Sequence, residues 1–272
     1  MGDPGGEVTR ALAIACALAC ALAACKQAAP PEDGEWTTAD WVKVGLPDPS
    51  REWSTDQLTI AVGMLSDVSV QHPGALPVFQ SARSGDVFAR VIAPVRIDAK
   101  GADGLVGQLM PREEALRKLM RVYQQTSPAV PRRELLELTG ALLDNYVLLM
   151  PSLLELMKSF PPTDPSYQVR QGGLDKVKTG LGMMLNGSLT MAGSEALSIE
   201  SRHAVFAYLT RDVAALAPLL GGADRQTFRA LLAKDVASSS QEIAHDALAL
   251  QRVLPLELGS DAAGSAAGSA AN

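Results

Sequence analysis

The sequence predicts an all-α protein, an irregular antiparallel bundle of about six or seven helices. Three observations lead to this class. Apolar residues recur at helical spacing along most of the chain between residues 54 and 255. Patterns typical of helix starts stand before several of these apolar stripes. No unit repeats at a fixed period, which argues against a solenoid.

The sequence marks the first two predicted helices with different clarity. Ser54 and Gln57 have the spacing of a capping box, in which each side chain bonds the other residue's backbone N–H. The apolar residues that follow recur at helical spacing: Leu58, Ala61, Leu65 and Val68. The segment SGDVFARVIA fits either a short helix capped by Ser84 or a strand, and we favour the helix.

Three longer helices are predicted next. PREEALRKLMRVYQQ begins at Pro111, with acidic residues in its first turn and basic residues later, as the helix dipole prefers. PRRELLELTGALLDNYVLLM has the strongest apolar face, and Pro151 is expected to break or kink it before SLLELMKSF. LDKVKTGLGMMLNGSL carries an apolar stripe of Leu174, Val177, Leu181, Met184 and Leu185.

Two further helices complete the predicted bundle. They are SIESRHAVFAYLTRDVAALAPLL and ADRQTFRALLAKDVASSSQEIAHDALALQRVL, joined at Gly221 and Gly222. After them, residues 256–272 are a low-complexity tail of mostly Ala, Gly and Ser, which is expected to be disordered because it cannot bury enough apolar surface.

All three cysteines lie in one apolar stretch near the N-terminus, at positions 16, 20 and 25. The run Ala11–Ala24 is too short for a transmembrane helix but fits the apolar core of a secretory signal peptide. Its end, Leu22-Ala23-Ala24-Cys25, resembles the lipobox of bacterial lipoprotein precursors. A plain signal peptide and a short buried helix are the alternatives.

The resemblance to lipoprotein precursors implies that Cys25 receives a diacylglyceryl group and that residues 1–24 are removed. The mature chain would then hold no second cysteine for a disulfide or a metal site. Residues 25–53 would form a spacer and a tryptophan-bearing arm, and residues 54–255 the helical domain. Lys26 follows the lipidated residue, at the position where an aspartate would resemble the inner-membrane retention signal of some bacteria. The expected location is therefore the outer membrane, with the body in the periplasm or on the cell surface.

Composition narrows the possible partners. The chain has 24 basic and 30 acidic residues, and this acidic balance argues against nucleic-acid binding. The nucleophile elbow, the phosphate loop and the dinucleotide-binding fingerprint are all absent from the sequence. We therefore predict no cofactor and favour a non-enzymatic protein. The alternative is an envelope hydrolase that assembles a His/Asp/Ser site in space.

Two Glu-x-x-His patterns, Glu200 with His203 and Glu242 with His245, have the spacing that di-iron helical bundles use. The apolar stripes of their helices leave Glu200 and His245 on the side away from the core. We therefore interpret both patterns as solvated polar faces and predict no metal site.

The three tryptophans, Trp36, Trp41 and Trp53, cluster just after the spacer. They are either a surface that grips a partner or lipid headgroups, since tryptophan favours both, or an arm held on the bundle by burying its indoles. We favour the buried arm and keep the surface as a candidate binding site.

The segment Gly180–Gly193 combines methionines with four glycines. Flexible thioethers suit adaptable apolar binding sites, and glycines in a helix make it easier to open. The hypothesis is that a protein partner or an apolar ligand binds here, at Met183, Met184, Leu185, Leu189 and Met191. Core filling beside a loose loop is the alternative, and a Cu(I) site on the thioethers is a weaker one.

Overall fold

The structure, a computed structural model, describes residues 34–94, 96–97, 99–126 and 133–254. Over these residues it contains nine α-helices and no strand, so the predicted all-α class is confirmed. The signal peptide, Cys25 and the tail 256–272 lie outside the described residues. The helices are α1 Thr38–Lys43, α2 Thr55–Gln71, α3 Gly85–Ile92, α4 Gly101–Thr126, α5 Arg133–Lys158, α6 Tyr167–Ala192, α7 Ile199–Leu216, α8 Gly222–Val236 and α9 Gln241–Val253.

Several helix boundaries differ from the predicted ones. The helix α1 is too short for its apolar spacing to be recognised in the sequence. The last predicted helix is in fact two helices. Residues 237–240 are not helical, and the Ser240 side chain caps the N-terminus of α9. Neither proline ends a helix: α4 begins ten residues before Pro111, and α5 continues through Pro151. Burial of the surrounding helix offsets the one backbone hydrogen bond that each proline removes.

The helix α5 is the centre of the bundle and separates two cores. One side of it joins α1–α4 around Leu138 and Leu142. The other side joins α6–α9 around Leu143, Tyr146 and Leu149. By length and composition α5 is the one described helix that could cross a membrane, but a helix buried on all sides in a bundle has the same composition.

The tryptophan arm is part of the fold. Trp36, Trp41 and Trp53 are all buried, and the rings of Trp36 and Trp41 lie 4.8 Å apart. The backbone N–H of Trp36 donates to Gly74 O at 3.1 Å, which ties the arm to the turn after α2. The indoles therefore do not form the surface that the binding alternative requires. Within the described residues the packed body includes the arm, so it extends about 20 residues ahead of the domain boundary predicted at residue 54.

Candidate functional site

An apolar cleft opens between α4 and α6, with α5 as its floor. Both outer helices pack on α5 but leave a gap between themselves. The cavity measures about 400 Å³, within the range of small-molecule sites. We call it the methionine cleft; its lining residues are Arg117, Met120, Arg121, Gln124, Leu135, Thr139, Gly180, Met183, Met184, Gly187, Ser188 and Met191.

The structure brings together three of the five residues predicted in the segment Gly180–Gly193. Met183, Met184 and Met191 line the cleft, and Met183 is 65% exposed. Leu185 and Leu189 are fully buried in the core behind this wall and do not line it. Met120 of α4 completes the set of thioethers from the opposite wall. The sequence could not associate Met120 with the others, because nothing local shows that α4 and α6 face each other.

The glycines of this segment differ in what surrounds them. The helix α6 continues without a break to Ala192, so the loose loop considered in the sequence is not present there. A Cβ on Gly182 would lie 2.3 Å from the Asp224 carboxylate, and one on Gly193 would lie 2.4 Å from Asp235. These glycines let α8 approach α6 closely. Gly187 is different: it lines the cleft, and a Cβ there would meet no atom within 4 Å.

One end of the cleft is charged. Arg117 and Arg121 line it and also line a neighbouring cavity of about 320 Å³, together with Met110, Glu113, Glu114, Lys176 and Val177. The buried Glu113 carboxylate accepts hydrogen bonds from the Tyr146 hydroxyl at 2.5 Å and from Arg117 Nη1 at 3.2 Å. Burial raises the pKa of the Tyr146 phenol, and the bond to Glu113 raises it further, so Tyr146 remains a donor.

Two of the three histidines, His203 and His245, lie beside one carboxylate, and no hydroxyl completes a catalytic triad with them among the described residues. His203 Nδ1 of α7 contacts the Asp246 carboxylate of α9, and His245 Nδ1 lies 3.8 Å from the same carboxylate. Among the hydrogen-bonded pairs of the described residues, the one partner of His203 is Asp246, so no hydroxyl nucleophile is placed on it. His72 stacks on Trp36 in the other core. The described residues hold no group of three His, Cys, Asp or Glu side chains arranged for a metal ion.

The fold and the site together define an all-α bundle with an apolar cleft between helices. No match to this chain was found among protein families, curated proteins or solved structures.

Proposed function

We propose that this chain is a lipid-anchored protein of the bacterial envelope whose helical domain binds an apolar ligand in the methionine cleft without catalysing a reaction. The observation that carries the proposal is the convergence of four thioethers, from Met120, Met183, Met184 and Met191, on one cavity of about 400 Å³. Unbranched thioethers adapt to ligands of different shape. A cleft between bundle helices is also a usual place for a ligand.

A bound ligand accounts for this surface better than core filling does. The Met183 side chain is mostly exposed, although the adjacent Met184 packs against both cores. An apolar side chain gains nothing from being exposed beside an open cavity, whereas a ligand in the cavity would remove it from water. The His203–Asp246 pair is the feature that favours a hydrolase, but it lacks a nucleophile on His203, so we do not adopt that alternative.

Filling the cleft tests the proposal. The replacement Gly187→Leu points a side chain into the cavity from a position where a Cβ meets no atom, so the fold is preserved and the space is lost. We expect the variant to lose most of its affinity for the uncharged dye N-phenyl-1-naphthylamine, measured by fluorescence titration.

The control for this variant is Gly173→Leu. Gly173 lies on the same helix, is exposed and has nothing within 4 Å of an added Cβ, but it does not line the cleft. Both replacements make a comparable gain in helix propensity, so thermal unfolding should treat them alike. Equal dye binding by the two variants would contradict the proposed site, as would a failure of the unmodified chain to bind the dye.

The anchoring part of the proposal depends on Cys25. It is supported by the lipobox resemblance of Leu22-Ala23-Ala24-Cys25 and by the apolar run before it. Two or three acyl chains on one residue hold a protein on a membrane, whereas a single chain binds only marginally. We propose the outer membrane as the location, with the body in the periplasm or on the cell surface.

The replacement Cys25→Ala is expected to abolish metabolic labelling with palmitate and to prevent normal cleavage of the leader. Cys20→Ala is the matched control, because Ala17 occupies the position three residues before Cys20, where the lipobox has leucine. Labelled lipid that persists on the Cys25→Ala variant would show that the anchor assignment is wrong.

A further inference from the structure

The methionine cleft and the neighbouring polar cavity adjoin each other, and we call the two together the groove, with one apolar and one polar end. They share Arg117 and Arg121, which stand where one cavity meets the other. On one side of this pair lie the thioethers of α6 and Met120. On the other side lie Lys176 and the carboxylates of Glu113 and Glu114. A molecule that fills the apolar end would therefore present its other end to these charged groups.

The charges at the polar end favour an anion. Three basic side chains line it against two acidic ones. Of the acidic pair, Glu113 is already bonded to Arg117 and Tyr146 and is turned into the bundle. Arg121 and Lys176 are exposed, and neither forms an ion pair within the described residues. In a chain with a net charge of −6, an excess of positive charge beside an apolar cavity is a local feature of the groove.

We infer that the ligand of the methionine cleft is a single-chain amphiphile with an anionic headgroup. This inference rests on the proposed function. The hydrocarbon chain of the ligand lies against Met183, Met184 and Met191, and its headgroup accepts hydrogen bonds from Arg121 and Lys176. Arg117 is held by Glu113 and sets the boundary between the two ends. The guanidinium of Arg121 suits headgroup binding because a guanidinium can bond a carboxylate or a phosphate through two N–H groups at once.

Gly180 provides the local geometry for this boundary. A Cβ at Gly180 would lie 2.9 Å from Arg117 Nη1 and 3.2 Å from the Tyr146 hydroxyl oxygen. The missing side chain therefore lets Arg117 reach across from α4 to α6 while it stays bonded to Glu113. The position of Arg117 thus depends on buried contacts among α4, α5 and α6, whereas Arg121 and Lys176 are exposed.

The test compares two amphiphiles that differ in the headgroup alone. Dodecanoate and dodecanol, each below the concentration at which it aggregates, are used to displace the naphthylamine dye from the chain that carries Cys25→Ala and is produced without the leader, residues 1–24. Neither an acyl group nor the apolar leader then competes for the cleft. We expect dodecanoate to bind roughly five- to tenfold more tightly than dodecanol, as one or two charge-assisted hydrogen bonds at an exposed site provide. Added salt should weaken the binding of dodecanoate and leave the binding of dodecanol unchanged.

The replacement Arg121→Gln should lower the ratio of dodecanoate affinity to dodecanol affinity, and Lys176→Gln should act in the same direction. Arg252→Gln is the control: it changes the net charge equally, but Arg252 is an exposed residue of α9 that does not line the groove. Equal binding of the two amphiphiles by the Cys25→Ala chain without further replacements would overturn this inference and leave the proposed function standing. Failure of both amphiphiles to displace the dye would overturn the inference, and failure of the dye to bind would remove the proposed function as well.

Discussion

Asp235 is a carboxylate that the fold buries at a cost. It lies at the C-terminal end of α8 against Gly193, and its Oδ2 atom is buried without a hydrogen-bond partner. Burial raises the pKa of this carboxyl above its ordinary value of 3.8, although the charges of Lys234 and Arg202 oppose the shift. Desolvation of the ionised form outweighs the nearby positive charge.

The raised pKa of Asp235 predicts the sign of a pH effect on stability. Between 3.8 and the raised value the native state holds a proton that the unfolded state has lost, so stability falls as pH rises through this window and stays lower above it. Asp235→Asn should flatten this slope and raise the free energy of unfolding at neutral pH. Urea unfolding at a series of pH values measures both effects. Asp175→Asn, which removes an exposed carboxylate of α6, is the control; parallel pH curves for Asp235→Asn and the unmodified chain would refute the assignment.

At the level of the element, α6 contains glycines with two opposite roles. Gly182 faces Asp224 of α8, and an added Cβ would lie 2.3 Å from its carboxylate oxygen and 3.0 Å from its Cβ. Rotation of the Asp224 carboxylate would not remove the contact, because the Asp224 Cβ stays in place. Relief would require the backbone of α8 to shift at Asp224, whose carbonyl accepts a hydrogen bond from the Asn186 side chain at 3.2 Å. Gly187, five residues further along the same helix, faces open space.

Alanine at these two positions should therefore change stability in opposite directions. We expect Gly182→Ala to lower the free energy of unfolding by about 1–3 kcal/mol, as overpacking usually does. Gly187→Ala should raise it by up to about 1 kcal/mol through helix propensity. Chemical denaturation of the two variants side by side measures the difference. A gain in stability for both would mean that α8 does not press on α6 at Gly182.

Element boundaries were predictable where the controlling residues are local. The box of Ser54 and Gln57 does cap α2, with bonds of 3.2 Å and 3.0 Å in the two directions. The helix boundaries predicted at Pro111 and Pro151 were wrong. The free-energy cost of a proline in a helix can be read from the sequence, whereas the burial that offsets this cost depends on distant residues. The same holds for Trp36, which stacks on His72 and is bonded to Gly74 in the turn after α2.

At the level of the whole molecule, the class could be read from the sequence and the site only in part. An amphipathic helix shows its apolar stripe in its own residues, so the all-α class follows from periodicity. The methionines of α6 were visible for the same reason. Met120 and Arg121 were not, because their role depends on α4 standing across a gap from α6. The charge of the groove, and hence the class of ligand inferred here, comes from that long-range arrangement.

The burial of Trp36 also sets a distance. A spacer of residues 25–53 would reach about 100 Å when fully extended. With Trp36 held inside the fold, only the chain from Cys25 to Trp36 remains between the proposed lipid and the first buried side chain, and it spans at most about 40 Å. A body on so short a tether stays within about its own diameter of the bilayer. An amphiphile leaving the membrane beside the anchor would therefore need to diffuse only that far to reach the methionine cleft.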